Sequence, residues 1–138
     1  MSRTADRLRE HLQHQVEDHG LSLTEFGVLE ALLHKGPLTH GKIAERVLLA
    51  SSSITYVVDK LEERGLLRRR RSAEDRRVRL AELTPEGRSK IEAAFSEHAA
   101  LLDDLMADLS LEEKHTAASM LRRVERRAAE HDASDLPD

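Results

Sequence analysis

The side chains best suited to a chemical task crowd between Ala50 and Leu83. Hydroxyls come first, on Ser51, Ser52, Ser53, Thr55 and Tyr56, and cations follow, on Lys60, Arg64, Arg68, Arg69, Arg70, Arg71, Arg76, Arg77 and Arg79. Hydroxyls at a helix start let the backbone come close to DNA, so that amides and hydroxyls bond phosphate while short side chains touch base edges. Ser52, Ser53, Thr55 and Tyr56 are therefore the candidate reading face, with Lys60 on the backbone and Ser51 as the helix cap. Arg68, Arg69, Arg70, Arg71 and Arg76 are candidates for phosphate, with one or two expected to pair instead with acids of the partner lobe. Arg77 is the candidate for the minor groove, where a narrow A·T-rich floor concentrates negative potential.

Other chemistries find less material. Asp103-Asp104 and Glu112-Glu113 are paired carboxylates, but no Gly-rich loop, nucleophile elbow or metal motif accompanies them, which argues against an enzyme. His11, His14, His19 and His98 offer a metal-responsive alternative, since imidazoles spaced along a helical face can hold an ion; the favoured reading takes no metal and no cofactor. With no cysteine, thiolate metal sites, disulfides and thiol redox switching are excluded. A helical adaptor that binds no DNA is the remaining alternative.

The elements that would position these residues follow from caps and spacing. Residues Arg3 to Asp18 carry Leu8, Leu12 and Val16 on one thin apolar stripe, a helix that must pack on other helices or on a second chain. Ser22-Leu-Thr-Glu25 is a capping box opening a core helix that Gly36-Pro37 ends. Leu38 suits a short extended segment, Thr39 caps a brief helix from His40 to Val47, and Leu48-Leu49-Ala50 is the turn before the hydroxyl-rich helix. Two short helices joined in this way predict a helix-turn-helix. Gly65 stops the second, and the arginine runs on either side of Ser72-Ala-Glu-Asp75 predict a charged hairpin, the wing. Thr84-Pro85-Glu86 then opens a long helix despite Gly87, with a stripe running through Ile91, Ala94, Phe95, Leu102, Leu105 and Leu109. Ser110-Leu-Glu-Glu113 caps a last helix, with Met120, Leu121 and Val124 inward, that ends near Ala129; the tail 131–138 is expected to fray.

The expected fold is thus mainly α with a small β-wing: a winged helix-turn-helix over 21–83 and a helical dimerisation region over 1–20 and 84–130. Net charge is −4, yet residues 60–79 hold nine cations against four acids. That stretch carries +5 and the remainder −9, a basic working edge on an acidic body. No apolar run approaches the ~20 residues of a membrane span, and a soluble, cytoplasmic protein is expected.

These residues resemble the MarR family of bacterial regulators over nearly the whole chain. The matching stretches are Leu23-Thr-Glu-Phe-Gly-Val-Leu29, the recognition segment from Ile54 to Leu66, Asp75-Arg-Arg77 and Leu83-Thr-Pro-Glu-Gly87. Glu25 to Leu32, His34-Lys-Gly-Pro37 and Ser53 to Leu61 are similar to its quinone- and phenol-responsive repressors. The resemblance implies a homodimer that sets two winged domains on a pseudo-palindromic double-stranded operator, its first and last two helices interlocking through Leu8, Leu12, Leu102, Leu105, Leu109, Met120, Leu121 and Val124. It implies that Asp75 holds Arg77 in position, and that a crevice touching the first helix, Phe26 and the start of the long helix, with His11 at its edge, takes a small aromatic effector. The first helix is short for the family, and the absent cysteine removes the peroxide-type switch of some relatives.

Overall fold

The computed structural model describes residues 2–47 and 51–134, and the side chains of 3–47 and 53–131. The expected turn at 48–50 and the last four residues of the tail lie outside that set. Element order is α1 (Ser2–Glu17), α2 (Leu23–Lys35), α3 (His40–Val47), α4 (Ser51–Glu63), β1 (Leu67–Arg71), β2 (Arg79–Leu83), α5 (Pro85–Leu105) and α6 (Leu111–Ser134). The chain divides into two compact units, Met1–Leu101 and Leu102–Asp138. No helix among the described residues is long and apolar enough to cross a membrane.

In the first unit, α2 is the central element. Both halves of its capping box form: Ser22 Oγ accepts from the Glu25 amide at 3.1 Å, and Glu25 Oε1 accepts from the Ser22 amide at 2.9 Å. Phe26, Val28, Leu29, Ala31 and Leu32 are all buried, so apolar contact surrounds more than one face, and Gly36 ends the helix at φ 75°. Ile43 and Ala44 of α3 and Ile54, Val58 and Leu61 of α4 close over it at helical spacing. The core extends past the expected winged-domain limits, because Val16 of α1 and Ile91 and Ala94 of α5 are fully buried in the same cluster.

The two strands are antiparallel, Leu67 facing Leu83 and Arg71 facing Arg79. Leu38 adds the expected extended segment: its amide donates to Ala81 O at 3.1 Å and its carbonyl accepts from the Ala81 amide at 2.8 Å.

The start of α5 is welded to the end of α4. Thr84 Oγ1 donates to Gly65 O at 2.6 Å and accepts from the Gly87 amide at 3.0 Å. Gly87, at first sight a weak helix residue, is required here, since a Cβ at that position would stand 1.7 Å from Leu66 O. The α1–α2 turn is held from two sides: Arg64 Nη2 donates to Gly20 O and Lys90 Nζ to His19 O, each at 2.8 Å. Arg64 also pairs with Glu25 at 2.8 Å, and His19 with Glu97 at 2.6 Å.

α5 ends at Leu105, not Leu109, and Leu109 lies in the turn that follows. Its last turn holds Asp103 and Asp104 and no basic residue, an unfavourable match to the negative end of a helix. In the second unit the box at Ser110 and Glu113 opens α6, which continues to Ser134, past the expected end near Ala129. The residues around that point give the helix no reason to stop: Glu125, Arg126, Arg127, Ala128, Ala129 and Glu130 are all good helix formers.

Candidate nucleic-acid interface

α4 has a buried stripe and an exposed one. With Ile54, Val58 and Leu61 turned into the core, Ser53, Thr55, Tyr56 and Lys60 are left on the outside. The side chains of Ser51, expected to cap the helix, and Ser52, expected on this face, lie outside the described set. Tyr56 is 62% exposed, an unusual state for a large aromatic ring, and Lys60 Nζ sits 5.3 Å from its centroid. Interaction with Tyr56 holds the Lys60 ammonium above its ordinary pKa.

At the wing tip, Arg77 and Asp75 are joined three times. The Arg77 amide and Nε donate to Asp75 Oδ1 at 3.0 and 3.2 Å, and Nη2 donates to Oδ2 at 3.4 Å. These bonds hold the Asp75 carboxyl below its ordinary pKa, while the Arg77 side chain remains 92% exposed. The carboxylate therefore fixes the direction of a guanidinium that is still open to a ligand.

The arginine run divides by strand face. Arg68 and Arg70, two residues apart, both donate to Glu82 at 2.8 Å, and this double pairing holds the Glu82 carboxyl below its ordinary pKa. Arg69 points the other way, pairing with Asp59 and with Glu62 at 3.2 Å on α4 and donating to His40 Nε2 at 3.3 Å. Burial and then the Arg69 charge lower the His40 pKa. Arg68, Arg69 and Arg70 are thus ion-paired within the chain, and the partners are the wing's own Glu82 and the recognition helix. Arg71, Arg76 and Arg79 are exposed and make no ion pair among the described residues. Arg79, on the return strand and absent from the expected contacts, stands opposite Arg71 in the register of the ribbon.

Of the residues expected at the effector crevice, Phe26 is buried in α2, where further contacts gather. Gln15 Nε2 donates to Ala94 O at 3.1 Å, which turns Gln15 Oε1 towards His98 Nδ1 at 2.9 Å, so that this ring nitrogen carries the proton. The His98 ring lies 4.5 Å from that of buried Phe26, and His34 meets Phe95 edge-on at 4.7 Å. Burial lowers the His98 pKa, Glu30 opposing it. His11 is exposed on α1. His19 pairs with Glu97 and His98 with Gln15, and no group of three metal-ligating side chains occurs among the described residues. Of the expected interface residues, Leu8, Leu105, Leu109, Met120, Leu121 and Val124 are exposed, and Leu12 and Leu102 half-buried.

Residues 21–78 match the MarR family. Over 124 residues the chain is 44% identical to the HTH-type transcriptional regulator MhqR of Bacillus subtilis (strain 168), spanning 90% of this chain and 86% of that protein. The solved transcriptional regulator BldR from Sulfolobus solfataricus has a TM-score of 0.77 at 28% identity, covering 91% of this chain and 89% of its own. The PcaV regulator from Streptomyces coelicolor, solved in complex with its natural ligand, has a TM-score of 0.76 at 29% identity, covering 91% of both. Neither the metal-responsive nor the adaptor alternative is favoured by these likenesses. A helix-turn-helix with its second helix exposed on one face, a two-stranded wing and a relative this similar over nine-tenths of the chain have one reading: the chain belongs to the MarR family of winged helix-turn-helix, DNA-binding transcriptional regulators.

Proposed function

We propose that the chain is a ligand-responsive repressor that binds a pseudo-palindromic operator as a homodimer. α4 enters the major groove with Ser53, Thr55 and Tyr56 at base edges and Lys60 on the backbone, and Arg77 enters the adjacent minor groove. The observation that carries this reading is the wing-tip clamp, in which Asp75 aims a guanidinium that is 92% exposed. An acid beside DNA is repulsive unless it positions a cation, and this one does so through three bonds.

Release requires an effector that favours one conformation over another, since equal affinity shifts nothing. The proposed effector is a small phenolic or quinone-type ring held among Phe26, His34, Phe95 and His98, where aromatic and imidazole faces meet. A related regulator solved with its natural ligand supports a small effector, and the resemblance of Glu25 to Leu32 and Ser53 to Leu61 to quinone- and phenol-responsive repressors supports its class. The protein works by binding and not by catalysis, in the cytoplasm with the chromosome.

Gel-shift titrations over a salt series test the reading. Wild-type affinity is expected to fall steeply with salt and Arg77→Ala to weaken binding by on the order of tenfold. Hydroquinone added to the same complexes is expected to release the duplex. Binding that ignores salt and survives Arg77→Ala sinks the DNA assignment; a complex that millimolar hydroquinone and catechol both leave intact sinks the effector.

A further inference from the structure

The wing has two faces in different charge states. Arg68, Arg70 and Glu82 occupy one and close on each other. Leu67, Arg69 and Arg71 of β1 share the opposite face with Arg79 and Ala81 of β2, by the alternation of side chains along a strand. That face looks towards α4, because Leu67 and Ala81 are buried and Arg69 reaches Asp59 and Glu62. Neutralisation stops at Arg69. Arg71 and Arg79 stand directly opposite each other, exposed, with no acid paired to either among the described residues.

The hydrogen-bond pattern makes the opposition close. Ala81 gives both its amide and its carbonyl to Leu38, so the Arg69↔Ala81 pair is not hydrogen-bonded across the ribbon, and by alternation neither is Arg71↔Arg79. Such pairs have the shorter of the two antiparallel spacings, with side chains nearest. Like charges directly opposite in a sheet are destabilising. Arg79 also lines, with Thr55 and Asp59 of α4, a cleft of about 610 Å³ between the recognition helix and the wing. The register therefore sets two like charges directly opposite each other, one of them lining the cleft beside α4.

We infer that Arg71 and Arg79 form a two-pronged site for an operator phosphate at the rim of the groove entered by α4, whereas Arg68 and Arg70 maintain the ribbon through Glu82. This rests on the DNA-binding reading above. The phosphate supplies the negative charge that the free protein withholds from the pair, so the site exchanges stability of the free ribbon for affinity.

Three variants separate the roles: Arg71→Gln/Arg79→Gln, Arg68→Gln/Arg70→Gln and Arg77→Ala. Each is measured on one duplex over a salt series and by thermal unfolding without DNA. The first is expected to flatten the log–log salt slope by about 0.9, one phosphate's worth, and to raise Tm. The second is expected to leave the slope unchanged and to lower Tm, because Glu82 loses its countercharges. An unchanged slope in Arg71→Gln/Arg79→Gln, or an equal flattening in Arg68→Gln/Arg70→Gln, overturns the inference. If Arg77→Ala weakens binding and Arg71→Gln/Arg79→Gln does not, only this inference falls; if neither weakens it, the DNA reading falls with it.

Discussion

Individual side chains here are governed by who supplies the opposite charge or the missing solvent. Asp75 and Glu82 are both carboxylates held low by arginine, but Asp75 aims one cation outward and Glu82 occupies two. The histidines have a different cause. His98 and His40 are each pushed down chiefly by burial, so folding favours their neutral forms. A folded pKa below the unfolded one gives stability that is complete above the unfolded value of ~6.5 and is lost as pH falls through the folded value. Tm is therefore expected to hold between about pH 8 and 7 and to decline below about pH 6.5. His98→Gln is expected to shallow that decline in a series of melts, and an identical decline in the variant would remove His98 from the account.

At the level of elements, the junction between α4, β1 and α5 decides whether the recognition helix is held. Thr84 bonds the carbonyl of Gly65 and the amide of Gly87, and Gly87 lets the Leu66 carbonyl approach. Gly87→Ala is expected to cost about 3 kcal/mol or more, because the added carbon meets backbone that cannot rotate away. Urea denaturation checks it; a loss under about 1 kcal/mol would mean that the junction yields. The elements themselves were legible from local chemistry: the boxes at Ser22 and Ser110, the stops at Gly36 and Gly65 and the Thr84-Pro85 start all depend on residues within a few positions of one another. Gly87 read as a flaw because its reason, the Leu66 carbonyl, lies in the connection between α4 and β1, well upstream. The candidate interface was legible in composition and less so in detail. Which arginines pair depends on strand register, and that places Glu82 against Arg68 and Arg70 and leaves Arg71 facing Arg79.

For the whole molecule, the unanswered demand is apolar. Met120, Leu121 and Val124 on α6 are 57%, 69% and 66% exposed, an arrangement that one chain in water does not favour and that a second copy would cover. Leu121→Glu with Val124→Glu is expected to yield a monomer by light scattering and to lose most operator affinity, since two linked half-site contacts become one. A variant that remains dimeric would move the interface elsewhere. Charge asymmetry was readable as a sum over residues 60–79, whereas the extension of the core into α1 and α5 was not, because Val16, Ile91 and Ala94 meet only in three dimensions.

The doubly held turn between α1 and α2 has a dynamic consequence. Arg64 reaches it from the end of the recognition helix and Lys90 from α5, and they take the carbonyls of adjacent residues, Gly20 and His19. Opening the turn breaks both bonds together, and each broken bond removes one tie to a different helix. Local unfolding of this region is then expected to be one cooperative event, and hydrogen exchange checks it: α1, the end of α4 and the first half of α5 should share a single protection.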